Sequence, residues 1–167
     1  MATRSRGLQV FRRKDRQDLG DTTLMGRPVM DPMPDRAVLK DVGTSAGYVN
    51  EVLFWDVDNG GMNLVRLWYA AHYALPRHSH DVDCLYYVVK GAAHLGNQVV
   101  EAGEGFYVPA GAPYSYKAGP EGVEVLEFRG SSPFEIKVSE SEGRWTQLAE
   151  NARTHKEEWE AAGAAAH

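Results

Sequence analysis

His78-Ser79-His80 places two imidazoles one residue apart, and an extended strand turns residues two apart to the same face. Neutral imidazole is the commonest biological metal ligand, so the pair predicts a metal held inside a β structure. Cys84 follows shortly after and has two readings. As a thiolate it completes a His-His-Cys set suited to zinc, iron or copper rather than magnesium or calcium. As a thiol it is a small, buried, apolar group. Asp83 and Asp81 are the nearby carboxylates and secondary candidates for the same role. His94 is a further imidazole within reach of an interior, whereas His72 and His155 read as surface residues.

These side chains need strands to hold them. From Arg36 onward short apolar runs alternate with turn residues, the signature of an all-β barrel or sandwich. The runs predict strands over 37–42, 49–56, 63–70, 84–90, 92–95, 98–101, 105–108 and 123–129. Gly96-Asn97 suits a two-residue hairpin turn, and Ala110-Gly111 after Pro109 suits another that swings Tyr114 back toward the interior. Arg66, Trp68, Tyr86, Glu127 and Arg129 lie on these strands and are expected to line a small-molecule pocket of a few polar groups among aromatic walls. Glu127 and Arg129 share a face and can also pair with each other.

The segment PRHSHDVDCLYYVVKG, followed by GEGFYVPAGAPY, resembles the paired motifs of the cupin superfamily of small β-barrels. His78, His80, Gly91, Gly103, Pro109 and Gly111 stand at the motif positions. Cys84 stands where the family has Glu, Tyr114 where it has a third His, and His72 where the first motif opens with Gly. The resemblance implies a single mainly β, double-stranded β-helix or jelly-roll barrel that holds a divalent transition metal (Fe, Zn, Mn, Ni or Cu) on His78 and His80. Cys84, read as a thiolate, would complete the expected metal set; read as a thiol it would be core. A phenol binds metal strongly only after losing its proton, so Tyr114 is expected as a proton donor, a weak ligand or a substrate contact. The implied activity is a dioxygenase, lyase or isomerase acting on a small aromatic or carbonyl-bearing molecule. The alternative is a non-catalytic ligand-binding or sensing barrel.

The 167 residues fit one barrel with extensions: an arm over 1–35, the barrel over 36–138, and a helix and tail over 139–167. Gly26, Pro28, Pro32 and Pro34 keep the arm from forming a helix. After Ser141, Trp145, Leu148, Ala152 and Trp159 recur on one helical face that packs on the barrel or on a second subunit. The terminal AAGAAAH is expected to fray.

The net charge of −5 argues against a nucleic-acid partner, despite Arg4, Arg6, Arg12, Arg13, Lys14 and Arg16 near the start, which read as a solvated arm. With one cysteine and no long apolar run, the expectation is a cytoplasmic protein with no membrane partner, and the cupin resemblance implies a homodimer to which the N-terminal segment or the C-terminal helix contributes.

Overall fold

The computed structural model describes residues 7–43 and 46–166, so Arg4, Arg6 and the last residue of the tail lie outside the described residues. Its strands are β1 (Gln17–Asp18), β2 (Val29–Met30), β3 (Tyr48–Trp55), β4 (Asn63–Tyr69), β5 (His78–His80), β6 (Cys84–Leu95), β7 (Gln98–Glu101), β8 (Gly105–Val108), β9 (Lys117–Arg129) and β10 (Ile136–Val138). The helices are α1 (Arg36–Gly43), α2 (Glu142–Thr154) and α3 (Lys156–Ala166). None of them is long and apolar enough to cross a membrane.

Seven strands form one sheet in the order β1-β3-β4-β9-β6-β7, with β8 also paired to β6. A smaller sheet, β2-β10-β5, carries the two histidines. Isolated pairings of His78 with Tyr114 and Ala74 with Lys117 join the sheets in place of a continuous ladder, so the predicted barrel is mainly β but not closed by hydrogen bonds.

Side-chain parity decides which face of the large sheet becomes core. Along β6, Cys84, Tyr86 and Val88 are buried, while Leu85, Tyr87 and Val89 are 52%, 47% and 43% exposed. Along β9, Val123, Val125, Glu127 and Arg129 are buried, and on β4 Asn63, Val65, Leu67 and Tyr69 share that inner face. The register aligns these residues in rows: Glu127 lies between Val65 and Tyr86, and Arg129 between Asn63 and Cys84. Gly91 lets β6 bend against β9. Its φ is +71°, and a Cβ there would come within 2.1 Å of the Gly122 carbonyl oxygen, so no other residue fits.

Three sequence expectations need correction. Residues 37–42 lie in helix α1, because Val38 and Val42 recur at helical spacing and pack against Trp145 and Leu148 of α2. The runs 84–90 and 92–95 form one continuous twelve-residue strand, interrupted by irregular register on either side of Gly91. The C-terminal helix is two helices broken at His155, and Ala161 to Ala166 belong to α3, where Gly163 is buried against the Ala46 carbonyl. Ser141 caps α2 by accepting from the Arg144 N–H at 3.3 Å. The Gly96-Asn97 hairpin forms as expected, with Leu95 opposite Gln98.

The N-terminal segment lies on the sheets rather than apart from them. β1 covers the edge of β3, β2 pairs with β10, and Leu19 and Leu24 enter the core. This segment has few apolar residues of its own and borrows the hydrogen-bonding edges of others.

Candidate metal centre and substrate cavity

β5 is short, yet it fixes both histidines. His78 and His80 are buried on its inner face, with ring centroids 5.2 Å apart. His78 Nδ1 lies 2.8 Å from the Pro76 carbonyl oxygen, and His80 Nδ1 lies 2.9 Å from that of Glu135. A carbonyl only accepts, so each Nδ1 carries the proton and each Nε2 keeps its lone pair. Metal-ligating histidines are commonly oriented by this kind of bond. Burial lowers the pKa of both rings, that of His80 to about 4, so both are neutral near pH 7.

His78, His80, Tyr86, Tyr114, Glu127 and Arg129 line one cavity of about 140 Å³. Leu19 and Met25 from the N-terminal segment and Ile136 from β10 close it. Cys84 lies behind two of the lining residues: a ring nitrogen of His80, the Cys84 sulfur and a Glu127 carboxylate oxygen lie within 4.8 Å of one another. Burial, with the nearby Glu127 charge, pushes the Cys84 thiol up to about 12, so it keeps its proton unless a cation replaces it.

Glu127 is ionised despite its burial. Desolvation pushes its pKa up, but the Arg129 guanidinium, with Nη2 2.5 Å from Oε1, and the His80 ring bring it below the ordinary value. Arg129 also donates from Nη1 to Asn63 Oδ1 at 3.3 Å, and its guanidinium carbon lies 3.6 Å from the centre of the Phe134 ring. Among the described residues its Nε–H has no hydrogen-bond partner.

Tyr114 reaches the cavity through the turn after Pro109, where Ala112 N donates to the Pro109 carbonyl and Gly111, at φ +78°, donates to the His80 carbonyl. Its hydroxyl lies 2.9 Å from His78 Nε2 and also contacts the Tyr86 hydroxyl, which in turn donates to Glu127. Burial raises the pKa of both phenols far above the usual value, so both are protonated. These three contacts need three protons, but with His78 protonated on Nδ1 and Glu127 ionised only the two phenol protons are present. One contact therefore sets lone pair against lone pair. A cation on His78 Nε2 removes the shortfall, because Tyr114 then donates to Tyr86 and Tyr86 to Glu127. His80, Cys84 and Glu127 form a donor set that fits a transition metal; His78 stands outside that group, its Nε2 facing the Tyr114 hydroxyl, and joins it only through the proton count.

Other expected residues lie elsewhere. Arg66 and Trp68 occupy the outer parity of β4 and do not line this cavity; Arg66 pairs instead with Glu51 and Glu124. Asp81 accepts from the Glu135 N–H and Asp83 from the Ala110 N–H, so both brace turns on the surface. His94 lines a separate groove with Val99 and Glu101. His72 faces His155, with ring centroids 5.5 Å apart, and does not line the cavity. The role of Glu127 as the site's carboxylate was not legible from local spacing, because it comes from β9 and meets Tyr86 only through strand register.

No protein-family model and no curated protein matches the chain. Among solved structures it is similar to an RmlC-like cupin from Shewanella frigidimarina, at 23% identity and TM-score 0.46, covering 54% of this chain and 79% of that one. It is also similar to the polyketide cyclase RemF from Streptomyces resistomycificus, at 22% identity and TM-score 0.46, covering 52% and 68%. Against Bacillus subtilis oxalate decarboxylase the values are 20% and 0.46, over 52% of this chain and 26% of that one. With the His-x-His segment on β5, Gly91 bending β6, the Pro-x-Gly turn after β8, and an antiparallel and a small mixed sheet around one histidine-lined cavity, the chain has a cupin-type fold.

Proposed function

We propose that this chain is a metal-dependent enzyme of the lyase or isomerase type, acting on a small oxygen-bearing organic molecule. The observation that carries the reading is the pair of neutral imidazoles, each tied through Nδ1–H to a backbone carbonyl and each left with an Nε2 lone pair, with His80 grouped with Glu127 and Cys84 and His78 facing Tyr114. A divalent transition metal bound there supplies a Lewis acid for a substrate oxygen. Tyr114, held protonated in the cavity, is the proton donor, and Tyr86 orients it from behind. Arg129 keeps Glu127 ionised and offers its free Nε–H to an oxygen of the substrate. A site built to hold a proton at a stated oxygen suits proton-transfer chemistry better than oxygen activation.

Elemental analysis of protein purified without chelator tests this reading. The expected result is about one equivalent of metal per chain, lost in the double variant His78→Ala/His80→Ala. Full metal occupancy in that variant would place the ligands elsewhere. With Co²⁺ as a probe, the thiolate charge-transfer absorption of the wild type should vanish in Cys84→Ser.

A second reading is favoured by one observation: the Arg129 guanidinium already neutralises Glu127, so the cavity has its own cation. In that reading the chain is a non-catalytic barrel that binds an organic ligand. Stabilisation of fully metal-free protein by an organic ligand supports it, and metal-dependent turnover sinks it.

We also propose a homodimer. Leu85, Tyr87, Val89 and Tyr107 form an exposed apolar strip on β6 and β8, whereas Trp145, Leu148 and Trp159 of the helices are buried within their own chain. The contact is therefore assigned to the sheet face rather than to the arm or the helix.

A further inference from the structure

The histidine cavity adjoins a second space. A largely apolar groove of about 240 Å³ runs beneath α1, walled by Leu39, Tyr48, Tyr73 and Trp145. Asn50, Tyr69, Leu75 and Pro76 line both the groove and the histidine cavity, so the two share a wall. Neither space alone reaches the roughly 300 Å³ at which pockets for organic ligands begin, but together they do.

Two polar atoms in the groove wall have no hydrogen-bond partner among the described residues: Trp145 Nε1 and Asn50 Oδ1. Trp145 is 3% exposed. Buried polar groups are ordinarily paired, and an unpaired one calls for a water, an ion or a ligand. An indole N–H only donates and an amide oxygen only accepts, so the wall presents one donor and one acceptor of opposite demand. Both atoms are sealed from solvent. α1 is the part of the wall able to yield, since none of its residues is fully buried and the Arg153–Asp41 ion pair that ties it to α2 involves side chains 58% and 31% exposed.

We propose that the groove is the second lobe of the substrate site, taking the flat, aromatic body of a molecule that bears one hydrogen-bond acceptor and one donor. The acceptor meets Trp145 Nε1–H, the donor meets Asn50 Oδ1, and the reactive end passes beside Asn50 and Pro76 into the histidine cavity. What happens at the reactive end rests on the metal-dependent reading; occupancy of the groove does not.

The test is calorimetric titration of metal-free protein with 4-hydroxyacetophenone, which carries an aryl ring, a carbonyl acceptor and a hydroxyl donor. Leu39→Trp, which fills the groove from α1, should weaken binding by about tenfold or more. Trp145→Phe, which deletes the donor, should weaken it by about fivefold. Co²⁺ affinity should stay within about twofold of wild type in both variants, since neither touches the histidines. Should Trp145→Phe fail to fold, Leu39→Trp on the outer helix still decides the matter. No binding of 4-hydroxyacetophenone to the wild type, or equal binding to Leu39→Trp, overturns the groove. The two readings fail separately: wild-type protein that binds the aryl probe but no Co²⁺ keeps the groove and loses the metal, and the reverse pattern keeps the metal and loses the groove.

Discussion

The large sheet carries an arginine–glutamate pair on each face, almost back to back. On the outside, Arg66 bonds Glu124 at 2.9 Å and Glu51 at 3.0 Å, and Arg16 shares Glu51. On the inside, Arg129 holds Glu127 among tyrosines, histidines and a cysteine. Val65, the neighbour of Arg66 in sequence, is the register partner of Glu127, so the two pairs are separated by little more than the thickness of the sheet. The outer network is redundant: Glu51 has two arginines and Arg66 two glutamates, with Arg16 and Glu124 still 30% and 24% exposed at their side chains. The inner pair has side chains 2% and 3% exposed and is tied to groups that can bind metal or move protons. The same two residue types brace the outer face of the sheet at one parity and line the histidine cavity at the other.

The sharpest way to break this comparison is to remove one arginine at a time. Arg129→Met leaves a buried carboxylate without its counter-charge and should cost roughly 3–5 kcal/mol in urea unfolding. Equal losses from Arg129→Met and Arg66→Met would erase the distinction between the faces.

Acid should expose the interior next. The His80 ring is neutral in the fold down to about pH 4 because of burial, against the usual 6.5 in the unfolded chain. As the pH falls the unfolded chain takes up the proton first, so stability is fully present above 6.5 and drains between about 6.5 and 4. The loss is on the order of 3 kcal/mol, at about 1.36 kcal/mol per pKa unit. A stability profile flat across that window, or one unchanged by His80→Asn, contradicts the assignment.

On the outer face the effects shrink. Arg66→Met should cost about 1 kcal/mol, because Arg16 still neutralises Glu51. Leu85→Lys should change stability by less than about 0.5 kcal/mol. Its expected signature is instead a halved mass in light scattering; an unaltered mass would remove the strip from the dimer contact.

Local signals reached part of the way into this molecule. His78, His80, Gly91, Gly96 and Tyr114 act over a few residues, through strand alternation or turn conformation, and their placement follows from neighbours in the chain. Arg66 and Trp68 were expected in the pocket because they sit on a real strand. Which parity of β4 faces inward depends on β9 and β3 beside it, and a single strand carries no such information. Residues 37–42 show the same limit: a short apolar run fits a strand or a helix, and only Trp145 and Leu148 across the gap settle it as α1. Glu127 drew attention as a charged residue on a strand. Its place beside Cys84 and His80 required the register of β6 against β9, which brings together positions some forty apart in sequence.

The two imidazoles are steered by carbonyl oxygens of Pro76 and Glu135, and these belong to the main chain. No exchange of side chain at either position can delete the oxygen. Exchanges at 135 would thus leave the His80 ring aimed as before, and exchanges at 76 would act on the cavity wall rather than on the aim of His78. Only a shift in the path of the backbone, by insertion or deletion near either point, would turn the rings away.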